Sequence, residues 1–556
     1  MFKEFTIQTG TLKWKLPCLC LIALAIQSCQ DKMETDEENK SSKVHQQDKF
    51  GEKWELPYTL RNVQAAYDSL KAGNLLRSGE VEPQLQATHY YVRFLPKDSS
   101  DWAELLKDTN IVLTEIPWDR EVEGEGGESY HDPYMGKNVP TWQYTKVPVD
   151  YQFSNVKYEI LDELCILPEF ELSEEDDKED IEDGGNLRIQ EVPSFGKQLQ
   201  MAALRRAGYI KEDDSTSALP LRSWLSKTLK KLDPTWTPKA NIRAWDDLLG
   251  KYIPLKGVKV YINHGGVWYY RTTDEDGYVK FPTCVGPVVY KIEWSGDYWQ
   301  IFDDYYLPAY YSRSGSNRST WNLDISGGKS LHYACIHRAA MRHFYGDNCG
   351  IVRPYFKNKH KISYFDESDT GSFNSESLYF SYGTYPDIKI YGKSGTNYKS
   401  TNLLTKTAMH EFSHSSHCLS VGYLVYDYTS DYVKEAWTVA ATYYLMKKEY
   451  EELGAGGNLL NTIKTLYAYQ KYDSDDIYSP LMLDLIDNEN EKILLNNRLY
   501  PDDQVSGYTL STIQKCLNTA NTVSAFKRNI KANKPNGVTD AKIDLLFKTF
   551  EERWKK

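Results

Sequence analysis

"AMHEFSHSSHCLSVGY" (residues 408–423) places three of the chain's eleven histidines within eight positions. Residues 402–421 contain neither Pro nor Gly, and Gly422 ends the run. The pattern predicts one helix, capped by Thr401 or Asn402. On that helix His410 and His414 are four residues apart and share a face, about one turn from each other, so both imidazoles reach one ion. Glu411 is rotated about a quarter turn away. It is placed to touch the water that an ion activates, and not the ion. HEFSH is therefore an HExxH pattern, with two metal ligands and a general base. The plain alternative is a helix that happens to be rich in histidine.

A catalytic zinc takes three protein ligands and keeps one position open. Two residues compete for the third place. His417 lies on the same face one turn further on, but three ligands along one straight helix do not surround a tetrahedral ion. Glu435 follows His414 by 21 positions. "DYVKEAWTVAATYYLMKKEY" (431–450) reads as a second helix, apolar or aromatic from Ala436 to Met446 apart from Thr438 and Thr442. Such a helix is buried, and a glutamate at its head needs a partner because an unpaired buried carboxylate is costly. A metal ion is one partner; the helix macrodipole alone is the other.

The set His410, Glu411, His414 and Glu435-Ala436-Trp437 resembles the gluzincin metallopeptidases, thermolysin-like and aminopeptidase-like. Their pattern is HExxH, a connection of about twenty residues, then a glutamate on a second helix, often as Glu-Ala. The metzincin pattern HExxHxxGxxH fails twice, since His417 stands at its glycine and Ser420 at its third histidine. The gluzincin resemblance implies Zn2+ held by His410, His414 and Glu435, with Glu411 as catalytic base. It implies hydrolysis of peptide bonds in a protein or peptide substrate, and a mainly α zincin-like domain. One part of the family pattern is missing. Thermolysin-like enzymes stabilise the oxyanion with a histidine beyond the glutamate, and this chain has none after His417. Tyr428, Tyr432, Tyr500 and Tyr508 are the candidates in its place, and the sequence does not choose among them. The strand predicted at 387–393 suits the edge strand that aligns substrate in zincins.

The rest of the chain sets the context. Its 556 residues are several domains' worth, and 41% hydrophobic with 26% charged residues is a globular composition. A formal net charge of −12 without a basic stripe excludes a nucleic-acid binder. Forty-three tyrosines and 14 tryptophans suit either a contact surface or a sandwich core. Nothing in the sequence sets an oligomeric state. Lys13 and Lys15 precede an apolar run from Leu16 to Ile26, too short for a membrane span. With "LIALAIQSCQDK" (21–32) this resembles a bacterial lipoprotein signal (1–28), departing from the pattern at Gln27. Cys29 would be the lipidated first residue. Asp31, Glu34, Asp36, Glu37 and Glu38 resemble the surface-export tether of Bacteroidota lipoproteins. The expected location is the outer membrane, on the cell surface, with membrane contact through the lipid alone.

The fold class expected is α+β multidomain. A flexible tether (29–57) leads to a small α/β domain (58–170), at best ferredoxin-like, with a helix over 62–72, strands at 88–96 and 110–119, and a short helix capped by Ser99 or Ser100 between them. An acidic loop and helical linker follow (171–238), including a helix over 197–210. The run 171–183 reads as a solvated loop, since it lacks the glycine and terminal glutamate of a calcium loop. Residues 239–305 are short β-rich runs divided by turn signals. "TTDEDGYVKF" (272–281) resembles the hairpin of carboxypeptidase regulatory-like, transthyretin-like β-sandwich domains, and Asp276-Gly277 is a hairpin signal in its own right. The zincin-like block (325–556) begins with a helix over 329–346. Six cysteines follow Cys29, none in a CxxC pair. They read as buried thiols, with Cys335 and Cys349 the one pair near in sequence. The rival to a peptidase is a surface binding or adhesion lipoprotein with a degenerate metallopeptidase domain.

Overall fold

The computed structural model describes residues 49–554, apart from 54, 74–84, 109, 124–131, 133–134, 136–140, 171–194, 211–234, 305–306, 316–319, 357, 381–385, 468–477 and 497–501. The signal, Cys29, most of the tether, the acidic run and Tyr500 therefore lie outside the described residues. The chain is mixed α and β, with several sheets. Among the described residues no helix is long and apolar enough to cross a membrane.

The tether ends sooner than the sequence suggests. β1 (Lys49–Lys53) pairs antiparallel with a strand at Arg120–Glu123. α1 (Leu60–Ala72) buries Val63, Ala66, Tyr67 and Leu70, the face that its periodicity predicts. β2 (His89–Leu95) is the middle of a three-stranded antiparallel sheet. α2 (Ser99–Leu105) is capped by Asp98, whose carboxylate accepts from Ser100 and Asp101 N, so the cap is one residue before the serines. The strand expected over 110–119 is absent. Thr114 makes a single bridge to Tyr144, and the ladder forms instead at β3 (Arg120–Glu123), against β1. β4 (Gln143–Pro148) and β5 (Lys157–Leu164) flank β2 on both sides. All of these pairs are antiparallel, so among the described residues no crossover joins parallel strands in this sheet. α3 (Phe195–Arg206) is a core element here and not a linker. Asn62 Nδ2 donates to Ala203 O at 2.9 Å, Gln200 Nε2 donates to Tyr58 Oη at 2.9 Å, and Leu199 and Ala203 are sealed in the same apolar cluster as α1.

The β-sandwich is present, but its boundary differs from the expected 239–305. One sheet holds β6 (Lys239–Asp246) with β7 (Lys251–Pro254) on one side. The other begins with the hairpin of β8 (Lys259–His264) and β9 (Val267–Thr272). The Asp276-Gly277 turn does not close a hairpin. β10 (Tyr278–Lys280) pairs with β6 in the opposite sheet, so the turn carries the chain across the sandwich. The local chemistry is still the one read from the sequence. Asp274 Oδ1 accepts from Asp276 N and Tyr278 N, and Gly277 sits at φ +73° where an added Cβ would lie 2.4 Å from Ile242 O. A turn signal specifies a reversal, not a partner. β11 (Val288–Glu293) joins β8. β12 (Trp299–Asp303) then leaves the sandwich altogether, with β13 (Leu307–Pro308) on its edge. β14 (Tyr310–Gly315) and β15 (Trp321–Ile325) return to it, against β11 and β6 respectively.

β12, with β13 outside it, belongs to the sheet that carries the site. It runs parallel to β16 (His360–Ser368), which runs parallel to β18 (Ile388–Ser394). β17 (Ser372–Phe373) pairs antiparallel with β18, as does β19 (Asn397–Tyr398) at the other end of that strand. The predicted strand 387–393 is therefore covered in part, and β17 is the outermost strand of the sheet at that end. Over this sheet pack α4 (Gly328–Phe344), α5 (Thr401–Val421), the short α6 (Tyr423–Asp427) and α7 (Asp431–Glu452). The sandwich, the sheet and these helices share one continuous apolar core. A buried ion pair and a hydrogen bond join them as well: Asp246 of β6 accepts from Arg338 of α4 at 2.8 Å and from Tyr450 of α7 at 2.9 Å. All six described cysteines are free thiols, five of them buried, and Cys335 and Cys349 are not paired.

Candidate metal centre

α5 is buried on nearly every side, from Leu404 to Cys418, so its apolar surroundings and not an amphipathic stripe hold it. Its N-terminus is finished by another part of the chain. Ser400 stands at the cap without a side-chain bond, while Asp247, just after β6, accepts from Thr401 N at 2.8 Å and donates its own N–H to Thr401 Oγ1 at 2.8 Å. The sandwich thus supplies the negative cap that the first turn needs. At the other end Gly422 takes φ +84° and turns the chain into α6. Trp437 of α7 donates Nε1–H to Ser413 O at 3.3 Å, which pins α7 against the middle of α5.

This packing brings His410, His414 and Glu435 together, with one ligand atom of each within 4.8 Å of the others. Among the described residues no other trio of such groups converges so closely. Glu435 Oε2 lies 3.1 Å from His410 Nε2, and Oε1 lies 3.3 Å from His414 Nε2. The three groups are of types that could hold a metal ion, and each imidazole faces a different oxygen of the Glu435 carboxylate. The imidazoles are nearly perpendicular, at 82° with centroids 4.9 Å apart. Tyr426 of α6 lies 2.9 Å from His414 Nδ1, which leaves Nε2 aimed at Glu435. Such an outer partner fixes the tautomer and orientation of a ligand. Tyr426→Phe is expected to weaken zinc binding by about 10–100-fold, read by competition with a chromogenic chelator, with little change in the unfolding midpoint.

Without a metal the trio is a buried hydrogen-bonded cluster. Burial opposes ionisation of Glu435, but hydrogen bonds from His410 and His414 outweigh it and hold the carboxyl well below its usual range. Burial pushes His410 down to about 4. For His414 burial also lowers the value, yet the bond to Glu435 wins and the net direction is up. Glu411, one turn-step from both histidines, is almost wholly buried, and burial raises it to about 7 against the opposing pull of His414. A carboxyl poised there suits proton exchange near neutral pH. Lys406, one turn earlier, is lowered by burial, with Glu411 and Glu435 acting against that shift.

His417, the other histidine of the motif, stays outside the cluster. It is fully buried, both ring nitrogens lack a hydrogen-bond partner, and its ring stands edge-on to Tyr426 at 5.2 Å. Burial lowers it to about 3. It is a neutral core residue.

Two neighbours were not legible in the sequence. Gly371, just before β17, lies against Glu411: a Cβ there would be 2.5 Å from its Oε1. Phe373 of β17 lies parallel to the His414 ring, 7° off with centroids 6.4 Å apart. So β17, not the strand at 387–393, is the sheet edge beside the site. The second neighbour is Tyr478, whose ring lies 5.7 Å from that of His410. Of the tyrosines expected as oxyanion donors, Tyr508 is buried and gives its hydroxyl to Ile530 O, and Tyr428 is 75% exposed. Tyr478 sits in a polar stretch with no motif around it, so only tertiary contact identifies it.

No protein-family model matches the chain, and no curated protein matches it. Among solved structures, a 9R-lipoxygenase from Cyanothece PCC8801 is 11% identical over 25% of this chain and 26% of its own, with a TM-score of 0.11. That likeness is too slight to carry fold or function.

Proposed function

We propose that the protein is a zinc-dependent peptidase of the gluzincin type, anchored through Cys29 to the outer membrane and acting on protein or peptide substrates at the cell surface. The observation that carries this reading is the convergence of His410, His414 and Glu435 with Glu411 beside them. Bound by those three ligands, zinc would polarise the scissile carbonyl and acidify the attacking water. Glu411 accepts that water's proton and later delivers it to the departing amine. Tyr426 holds His414 in the orientation that binding requires. The outer edge of β17 carries no further strand among the described residues, and an extended substrate can add to it by backbone hydrogen bonds. The absence of a side chain at Gly371 keeps space between that edge and the base.

Tyr478 is the proposed donor to the oxyanion. Purified residues 30–556, loaded with one equivalent of zinc, are expected to cleave an unstructured protein. Tyr478→Phe is expected to lower kcat by about 10²–10³-fold with KM little changed. Failure of the zinc-loaded chain to cleave any peptide library would leave the binding-lipoprotein reading in its place. Equal kcat in Tyr478→Phe would remove Tyr478 from the mechanism and leave the peptidase reading intact.

A further inference from the structure

One cation on the motif helix has no partner. Asn402, Lys406 and His410 follow at four-residue intervals on α5, so they form one line along a single face. Contacts fix both ends of that line. Asn402 Nδ2 donates to Tyr467 Oη at 2.8 Å, at the end of α8 (Gly457–Tyr467). His410 Nε2 meets Glu435 Oε2 at 3.1 Å and Thr438 Oγ1 at 3.3 Å, and the Tyr478 ring lies 5.7 Å from its own. Lys406 stands between them, with its Cβ about 5–6 Å from that of His410. It is half-buried, yet its ammonium makes no hydrogen bond and no ion pair among the described residues.

The other lysines whose charge acts on the site are engaged. Lys399 Nζ donates to Asp369 O at 2.7 Å and to Tyr391 O at 2.9 Å. Lys434 Nζ donates to Asp431 Oδ1 at 3.2 Å and to Asp427 O at 3.4 Å. The two nearby acids do not take Lys406 as a partner. Glu435 is turned to the imidazoles, at 3.1 and 3.3 Å, and Glu411 faces Gly371. An ammonium withdrawn from water is ordinarily paired, because burying its charge alone is costly. Nor does the ligand set need Lys406 for balance. The two positive charges of a zinc ion would offset Glu411 and Glu435 without help, which leaves the charge of Lys406 in surplus beside the ion. A surplus of that sign draws an anion.

We infer that Lys406 is a specificity-determining residue that receives a carboxylate of the substrate, so that the protein selects peptides with an acidic group close to the scissile bond. The inference rests on the peptidase reading of the site and names its substrate class. Lys406 starts one helical turn from a proposed metal ligand, and an extended peptide advances about 3.3–3.6 Å per residue. The carboxylate therefore belongs to one of about two residues next to the bond. An Asp or Glu side chain and a free C-terminus offer the same chemistry there. An ammonium is a compact charge with three rotatable donors and serves either. A charge-assisted hydrogen bond of this kind favours the anionic peptide over a neutral twin by about 10–100-fold.

The test uses the zinc-loaded chain on peptides in matched pairs, Glu against Gln beside the cleaved bond and a free C-terminus against its amide. In one pair kcat/KM is expected to be about 10–100-fold higher for the carboxylate member, and the pair that shows it identifies the source. Lys406→Met should abolish that ratio, and Lys406→Arg should restore most of it. The unfolding midpoint of Lys406→Met should not fall, because its ammonium has no partner to lose. Should that variant fail to fold, Lys406→Gln reads the same ratio. Binding gives a readout without turnover. By fluorescence anisotropy, zinc-loaded Glu411→Gln should hold the carboxylate peptide about 10–100-fold tighter than its neutral twin, and the double variant with Lys406→Met should not. Cleavage with equal kcat/KM for both members of each pair would overturn the inference and leave the peptidase reading intact. A carboxylate preference that survives Lys406→Met, or none in either readout, would overturn it too. Carboxylate-dependent binding lost in Lys406→Met, with no cleavage by the parent, would keep this role for Lys406 and remove the peptidase reading instead.

Discussion

Glu411→Gln is expected to leave zinc bound and to lower peptide cleavage by about 10²–10⁴-fold. The substitution keeps the shape that packs against Gly371, where the carboxylate oxygen already lies within 2.5 Å of a notional Cβ. It removes only the group that accepts and returns a proton. Burial raises Glu411 to about 7, so a neutral isostere adds no unpaired charge to the interior, and the variant should fold as well as the parent. His410 and His414 keep Glu435 as their partner. Zinc content by atomic emission and initial rates on one peptide therefore separate the two roles. A fully active variant would sink this mechanism, and a variant without zinc would mean that Glu411 had been misread as a base.

Glu435→Ala is expected to reduce zinc from about one per chain to near none, since a site of this type needs three protein ligands. The change acts through two contacts at once: the carboxylate bridges both imidazoles, at 3.1 and 3.3 Å. After its loss His410 retains only Thr438 Oγ1 at 3.3 Å on Nε2, and a hydroxyl is a poor zinc donor. His417→Ala is the control. It should keep full zinc and instead lose stability, about 2 kcal/mol, because it opens a cavity between Tyr426 and Trp437, against which the His417 ring packs. Zinc lost in His417→Ala but kept in Glu435→Ala would reverse the assignment of the third ligand. The two variants thus report different quantities, metal content and unfolding midpoint.

Local chemistry made some of this protein legible from its sequence. The helix over residues 401–421 follows from an unbroken run ended by Gly422, and the i, i+4 spacing alone puts His410 and His414 on one face. The apolar length after Glu435 announces a buried helix, and burial is what makes a lone glutamate at its head conspicuous. The positive φ at Gly277 follows from the turn signal in the same way. These are properties of neighbours in the chain, set by 3.6-residue periodicity and by steric limits on the backbone.

What the sequence left undetermined are contacts between distant segments. Asp247, 154 residues before Thr401, caps the motif helix, and no periodicity encodes such a partner. β12 deserts the sandwich for the sheet below α5. A β-rich run carries its pattern of burial but not the identity of the strand beside it. The same reason explains the misplaced sheet edge at β17, the turn that crosses between sheets, and the missing strand at 110–119, where only Thr114 finds a bridge. The gluzincin resemblance names Glu435 over His417, but spacing specifies no contact: only because α7 packs on α5 does the carboxylate reach both imidazoles while His417 turns into the core. The ligand types were written in the sequence; their convergence was decided by packing.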